Sequence, residues 1–312
     1  MRPRSLSLPV LLLGVLAAST ASIFVRYAQR DAPSLTVAAG RLVLATLVLA
    51  PLALTRHRSA LARLRARELL LALLAGAFLA LHFALWIASL ERTTVASSVV
   101  LVTTTPLWVA LLAPLLLREA ITRGVALGIL LASAGSLIVG WSDAGGPEGA
   151  AALVSAAGPA RSGALLGDLM ALAGAWMMTG YLLVGRRLRS GLTLVPYVFV
   201  VYGMAAIVLV LWMAISGRSF TGLAPRTWLW LAMLALVPQL LGHSSFNWAL
   251  RYLPASFVAI ALLGEPVGST ALAWALLREI PGPVTLGGAA LVLTGIAVAA
   301  RAAPRAAAEA EP

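Results

Sequence analysis

The sequence predicts an all-α integral membrane protein whose ten transmembrane helices form two inverted five-helix repeats. The 312 residues are 61% hydrophobic and 11% charged, and the mean hydropathy is +0.96. A soluble domain of this length needs far more charge to cover its surface, so most of this chain is expected to contact lipid. Long apolar runs without alternation of polar and apolar residues exclude a membrane β-barrel.

Charged residues divide the chain into ten apolar windows, each near the roughly 20 residues that a membrane-spanning helix needs. The windows are residues 6–25, 34–54, 69–90, 93–117, 124–141, 163–185, 194–217, 227–250, 253–277 and 281–300. The charged residues within them are Arg41, Asp168 and Glu265. The first window imitates a signal peptide, since Arg2 and Arg4 precede an apolar run. We expect it to remain as the first helix, because its removal would break the repeat.

A shift of 160 positions aligns the second half of the chain with the first. The identities under this shift are the Leu-Leu-Arg-Glu segments at 116–119 and 276–279, Pro106 with Pro266, Gly128 with Gly288, and Gly135 with Gly295. An odd number of helices in each half requires the second half to be inserted upside down. Inverted repeats place a substrate site near the bilayer midplane, between halves that rock to expose it alternately.

The repeat and the positions of the arginines predict the domain organisation and the orientation. The first repeat is expected at 1–141, an extracytoplasmic linker at 142–162, the second repeat at 163–301 and a disordered cytoplasmic tail at 302–312. With both termini in the cytoplasm, fifteen arginines lie in cytoplasmic segments and seven in outer segments, as the positive-inside rule requires. All basic residues are arginine, which indicates a high-GC bacterial genome and hence a bacterial cytoplasmic membrane.

The composition also narrows the class of function. The net charge of +12 does not indicate a nucleic-acid partner, because the arginines lie in short loops between apolar windows. The absence of cysteine excludes disulfides and thiolate metal sites. No metalloprotease or nucleotide-binding motif occurs, so no metal or cofactor is expected. A secondary transporter of small molecules is predicted; a membrane-embedded enzyme and a passive channel are the alternatives, and the oligomeric state is left open.

Glu265 lies at the centre of the predicted ninth helix and is the first candidate for coupling transport to protons. A mid-membrane carboxylate costs several kcal/mol unless it is protonated, paired or facing a wet cavity. The next residue, Pro266, predicts a kink. In the first half Thr104 and Thr105 precede Pro106, and their hydroxyls either line a cavity or bond to freed backbone groups. The alternative for Glu265 is a structural side chain that a neighbouring helix satisfies.

A polar stripe marks the predicted eighth helix, with Gln239, His243 and Asn247 spaced four residues apart. Such a stripe is expected to face protein or water rather than lipid. The third helix has His82 and Trp86 at the same spacing, and His82 aligns with His243 within one position of the repeat. We predict that these residues contact substrate. The alternative is that each histidine is structural.

Arg41 and Asp168 lie at similar depths below the outer ends of their predicted helices, so we expect them to pair. The alternative for Arg41 is a side chain that extends to the membrane interface. Four aromatic residues of the predicted sixth and seventh helices are candidates to line a cavity for aromatic or cationic substrates, although aromatic residues in membrane helices often serve packing alone. They are Trp176, Tyr181, Tyr197 and Tyr202.

Taken together, these motifs resemble the drug/metabolite transporter superfamily, specifically its EamA-type ten-helix permeases. The resemblance covers nearly the whole chain. The motifs that carry it are Pro106 with Glu119, Pro266 with Glu279, the glycine pairs 128/135 and 288/295, Arg41, and the Glu265-Pro266 pair. It implies a proton- or gradient-driven permease, often an exporter of amino acids, related metabolites or drugs.

Overall fold

The computed structural model describes residues 6–93, 98, 101–143, 159–272, 274–275 and 281–309, and this part of the chain is helical without β-strands. Most of the expected linker 142–162 and the motif residue Glu279 lie outside the described residues. The helices of the first half are α1 (Ser7–Ser19), α2 (Ala21–Ala28), α3 (Ser34–Arg56), α4 (Arg58–Ala62), α5 (Ala66–Ser89), α6 (Thr105–Leu117) and α7 (Arg123–Asp143).

The second half begins with a long helix and includes a π-helix. Its elements are α8 (Pro159–Arg189), α9 (Leu194–Ile215), α10 (Pro225–Leu234), the π-helix Ala235–His243, α11 (Ser244–Ala249), α12 (Ala255–Leu262), α13 (Gly264–Leu272) and α14 (Pro283–Glu309). Across the described chain, eight helical stretches are long and apolar enough to cross a membrane. Two shorter apolar helices, Thr105–Leu117 and Arg123–Val139, add to them. The chain is therefore a multi-pass membrane protein.

Two predicted helices are broken where a proline lies. The predicted ninth helix is two helices, because α12 ends at Leu262 and α13 begins at Gly264. The ring of Pro266 would clash with the carbonyl four residues earlier, which is that of Leu262. In the first half α6 begins at Thr105, directly before Pro106. Each proline thus lies in the first turn of a helix, where its missing N–H costs nothing.

The predicted eighth helix contains a π-helix that the spacing of its residues does not reveal. Pro238 lies inside this π-helix, and the wider turn leaves room for its ring. Gln239 and His243 belong to the π-helix, whereas Asn247 lies on α11. Wide turns of this kind often occur at functional sites.

Two boundaries differ from the sequence-based expectation. The helix α8 continues to Arg189, so Arg189 is a buried helical residue rather than a loop residue. The last helix, α14, continues to Glu309. The segment 302–309, expected to be disordered, is therefore helical, because its alanine-rich composition has a high helix propensity.

A glycine seam joins the last helices of the two halves, α7 and α14. A Cβ on Gly135 would lie 2.6 Å from the carbonyl oxygen of Gly288, and one on Gly295 would lie 2.7 Å from that of Gly128. The seam is antiparallel, because Gly128 meets the later glycine of α14 and Gly135 meets the earlier one. The repeat relates Gly128 to Gly288 and Gly135 to Gly295, so it exchanges the two contacts with each other, as a two-fold axis in the membrane plane requires.

A second pair of crossings obeys the same symmetry. A Cβ on Gly14 in α1 would lie 3.2 Å from the carbonyl oxygen of Gly242 in the π-helix. In the equivalent crossing, a Cβ on Gly174 in α8 would lie 3.7 Å from the carbonyl oxygen of His82 in α5. Each crossing joins a helix of one half to a helix of the other. The packing of the bundle therefore follows the 160-residue repeat closely.

Candidate functional site

Arg41 lies on α3 in the middle of the bundle and has no exposed surface. Its guanidinium lies over the ring of Phe83, with the carbon Cζ 4.0 Å from the ring centre. None of its three side-chain nitrogens has a hydrogen-bond partner among the described residues. The cation–π contact offsets only part of the cost of burying the charge. Because the side chain is fully enclosed by protein, the structure disfavours the alternative in which Arg41 extends to the membrane interface.

Phe83 and His243 are related by the 160-residue shift and contact each other. Their ring centres are 5.2 Å apart in an edge-on arrangement. A residue that contacts its own repeat equivalent must lie beside the pseudo-two-fold axis. Arg41 is therefore close to this axis, where the two halves of the bundle meet.

Asn247 organises the tyrosines beside this axis. Its amide nitrogen donates hydrogen bonds to the hydroxyl of Tyr181, to the carbonyl of His243 and, at 3.4 Å, to the hydroxyl of Tyr202. The hydroxyl of Tyr202 also lies 3.2 Å from the hydroxyl of Ser244. Both tyrosines are fully buried.

Several polar atoms in this region are buried without a hydrogen-bond partner within the described chain. They are both side-chain polar atoms of Gln239, Nδ1 of His243 and Oδ1 of Asn247, in addition to the nitrogens of Arg41. Buried polar groups in proteins are nearly always hydrogen-bonded, so this concentration of unpaired atoms makes the region the candidate binding site. The residues that form this central cluster are Arg41, Phe83, Tyr181, Tyr202, Gln239, His243 and Asn247.

The expected pair between Arg41 and Asp168 does not form. Asp168 accepts a hydrogen bond of 2.6 Å from the hydroxyl of Thr93. The carboxylate that interacts electrostatically with Arg41 is that of Glu265. This expectation failed because similar depth in the membrane does not determine which way each helix is rotated. Glu265 lies in the first turn of α13, where the helix dipole favours a negative charge.

The aromatic and histidine side chains of α5 and α8 are divided between packing and the central cluster. His82 lies 3.0 Å from the carbonyl oxygen of Gly174 through Nδ1 and stacks on Trp86. The ring of Trp176 is exposed at the bundle surface and lies edge-on to Trp108. Both predicted histidines lie beside the ring of Phe83, with ring centres 5.0 Å away for His82 and 5.2 Å away for His243, and His243 also lies beside the ring of Tyr181.

The threonines before Pro106 bond to the backbone. Thr104 donates to the carbonyl of Leu101 and Thr105 to that of Val102, at 2.6 and 2.8 Å. These bonds satisfy carbonyls that the break in the helix frees. The structure therefore favours the backbone-bonding interpretation of these hydroxyls.

A second polar group, the Glu119 cluster, lies at one end of the bundle. It consists of Glu119 and Arg186, the carbonyls of Leu250 and Arg251, and the amide of Ala255. Glu119 forms an ion pair with Arg186 and accepts a hydrogen bond of 3.0 Å from the amide of Ala255. Arg186 also donates to the carbonyl of Leu250 at 2.8 Å. The cluster ties α6 of the first half to α8, α11 and α12 of the second.

An exposed ion pair joins the two halves at a different position. Arg226, at the start of α10, donates two hydrogen bonds of 2.8 Å to Asp31, which follows α2. The hydrogen bond from Arg226 lowers the pKa of Asp31 below its ordinary value of 3.8. Because both side chains are solvent-accessible, this pair contributes little to stability.

Comparison with known proteins decides the family. The model of the EamA-like transporter family matches residues 6–141 and 165–301. The chain belongs to this family. No curated protein matches it. A solved crystal structure has a similar fold, with a TM-score of 0.76 and 18% identity, over 96% of this chain and 98% of the other. The protein is therefore a membrane transporter of small molecules, in a family of transporters rather than enzymes.

Two features of this EamA-like transporter are not among the predictions from its sequence. The first is the place of Phe83, although the repeat shift aligns this residue with His243 and offers a signal that it lies beside the axis. The second is the partner of Glu119. Arg186 and Arg26 are repeat equivalents, so the same shift offered a signal that this arginine belongs with the motif glutamate.

Proposed function

We propose that this EamA-like transporter is a proton-coupled secondary active transporter that exports small metabolites, such as amino acids or drugs, by alternating access. The observation that carries the proposal is the position of the central cluster beside the pseudo-two-fold axis. A site on this axis is equally reachable from both halves, so rocking of the halves exposes it to either side of the membrane. Export is the direction common among the permeases that the sequence resembles.

The two ends of the bundle support alternating access. In the Glu119 cluster, Arg186 is engaged with an acid and with backbone carbonyls of the other half. Its repeat equivalent, Arg26, is exposed on α2. Opening the bundle at the Glu119 cluster requires Arg186 to release Glu119. We assign this cluster the role of a gate that holds one end of the transport path closed.

We assign proton coupling to Glu265. It is an acid in the middle of an apolar segment, beside a helix break, and it interacts electrostatically with Arg41. Movement of α13 relative to α12 at Leu263 would change the surroundings of this carboxylate. A carboxylate whose surroundings change between two states can take up a proton in one and release it in the other.

Glu265→Gln in proteoliposomes tests this assignment, with a panel of radiolabelled amino acids as the transported probes. The amide keeps the size of the side chain but cannot ionise, so transport driven by a pH gradient should disappear. Exchange of labelled for unlabelled probe should persist, because exchange needs no net proton movement. Asp168→Asn is the matched control and should retain gradient-driven transport. Accumulation by Glu265→Gln against a gradient would assign coupling to another group.

The proposed orientation has both termini in the cytoplasm of a bacterium and ten membrane crossings. The two shorter apolar helices, Thr105–Leu117 and Arg123–Val139, supply the fourth and fifth crossings. The excess of arginines on the side of the loop Arg56–Arg67 supports this orientation. With it, the Glu119 cluster is the cytoplasmic gate.

A further inference from the structure

Arg41 carries a charge that its surroundings do not neutralise. Arginine remains ionised in proteins, and an unpaired ion in a membrane bundle is expensive. The ring of Phe83 lies against the guanidinium, with Cζ 4.0 Å from the ring centre. Glu265 acts on Arg41 electrostatically, but the two do not form an ion pair within the described chain. The guanidinium therefore has hydrogen-bond donors that no described protein group accepts.

A second buried arginine, Arg189, has the hydrogen bonds expected of an arginine with a structural role. Arg189 is as deeply buried as Arg41, at 1% exposure compared with 0%. Its Nε donates to the carbonyl of Asn247 at 2.9 Å, and its NH1 donates to the carbonyl of Leu192. Arg41 makes no such bonds within the described chain. The two arginines thus differ in hydrogen bonding rather than in burial.

The groups beside Arg41 favour a planar anion with one charge. A guanidinium fork matches a carboxylate through two parallel hydrogen bonds. A phosphate dianion needs more positive charge than the central cluster provides, since Arg41 is its one cation. The amide of Gln239 and Nδ1 of His243, both buried and without partners among the described residues, add hydrogen-bonding capacity for the rest of such a ligand.

We propose that Arg41 binds a carboxylate group of the transported substrate, which places the charged end of the substrate beside the pseudo-two-fold axis. This inference rests on the proposed transport function and adds the chemical class of the substrate. It predicts that the transporter distinguishes an acid from its amide. It also predicts that Arg41, unlike Arg189, is needed for binding and lowers the stability of the protein without ligand.

The test compares the melting temperature of the purified, detergent-solubilised protein with matched probes. The probes are carboxylates paired with their primary amides: hexanoate with hexanamide, phenylacetate with phenylacetamide, and L-leucine with L-leucinamide. The carboxylates should raise the melting temperature in a concentration-dependent manner and the amides should not. Arg41→Gln should weaken carboxylate binding roughly 10- to 100-fold, and Arg41→Lys, which keeps the charge without the fork, should lie between.

The stability of the variants without ligand provides a second measurement. Arg41→Gln should keep or raise the melting temperature, because it removes an uncompensated charge. Arg189→Gln should lower it, because two carbonyls lose their donor, and should retain the preference for carboxylates. Arg41→Gln that still prefers carboxylates, or a wild type that does not distinguish acids from amides, would overturn the inference. So would a wild type that no carboxylate stabilises.

Flux of the same probes into proteoliposomes separates this inference from the proposed function. Equal flux of acids and amides that Arg41→Gln leaves unchanged would support the transporter and exclude the carboxylate site. Binding of carboxylates without flux of any probe would retain the site and count against transport.

Discussion

The glycine seam and the central cluster lie in the same bundle, but the residues of the seam are alike in the two repeats and those of the cluster are not. Along the seam, glycine faces glycine at both contacts, and the residues obey the 160-residue shift. In the central cluster, by contrast, the 160-residue shift aligns polar residues with apolar ones. The equivalents of Arg41, Tyr202, Gln239 and Asn247 are respectively Val201, Leu42, Leu79 and Ile87.

Helix packing at the seam thus follows the repeat, whereas the polar groups of the central cluster do not. In the proposed mechanism the two halves rock against each other and need contacts that are alike in both states, which glycines at close backbone approach provide. A substrate with two different ends binds in one orientation, so the groups that bind it need not be alike. The contacts of the glycine seam are therefore symmetric between the two halves, whereas the residues of the central cluster are not.

The largest expected effect lies at the seam. Gly135→Leu would force a side chain into the backbone of α14, where its Cβ would lie 2.6 Å from the Gly288 carbonyl oxygen. We expect a loss of about 3 kcal/mol or more in stability. Gly287→Leu is the matched control, since a Cβ there meets nothing within 4 Å. Melting temperature and size-exclusion profile measure both variants. Equal tolerance of the two would mean that the seam is not a rigid contact.

Gln239 and Leu79 are repeat equivalents, and exchanging their residue types should change stability less than the seam substitution does. The two substitutions should change it in opposite directions. Gln239→Leu removes two buried polar atoms without partners among the described residues, so the melting temperature should stay or rise while transport falls. Leu79→Gln places an amide where a fully buried Leu79 packs, which should cost about 1–3 kcal/mol. Melting temperature and proteoliposome flux together check the pair. Strong destabilisation by Gln239→Leu would make this glutamine a structural residue.

The smallest expected change in stability concerns Arg186 and its repeat equivalent Arg26, at the two ends of the bundle. Arg186→Gln breaks the ion pair with Glu119 and the bond to the Leu250 carbonyl. Because the pair is partly exposed, we expect a loss of about 1 kcal/mol. Arg26→Gln changes its exposed equivalent and should stay within about 0.5 kcal/mol of the wild type. Matching losses in thermal unfolding would remove the proposed difference between the two ends.

Much of the helical architecture could be predicted because it depends on local properties of the chain. The multi-pass class follows from long apolar windows, and the two repeats follow from anchors such as Pro106 and Pro266. Burial of Gln239 and Asn247 could be anticipated because polar side chains in a membrane helix avoid lipid. The π-helix around Pro238 could not, since its extra residue per turn leaves no mark in four-residue spacing.

Hydropathy and the internal repeat are enough to predict a membrane-spanning chain of two repeats and to identify the polar residues inside its apolar segments. Which of these residues meet is a property of the folded bundle. There Arg41 lies over Phe83 and within electrostatic range of Glu265, Asp168 bonds to Thr93, and Glu119 pairs with Arg186. The physical reason is that hydropathy fixes the depth of a residue, whereas its partner depends on the rotation and crossing of each helix, which packing sets.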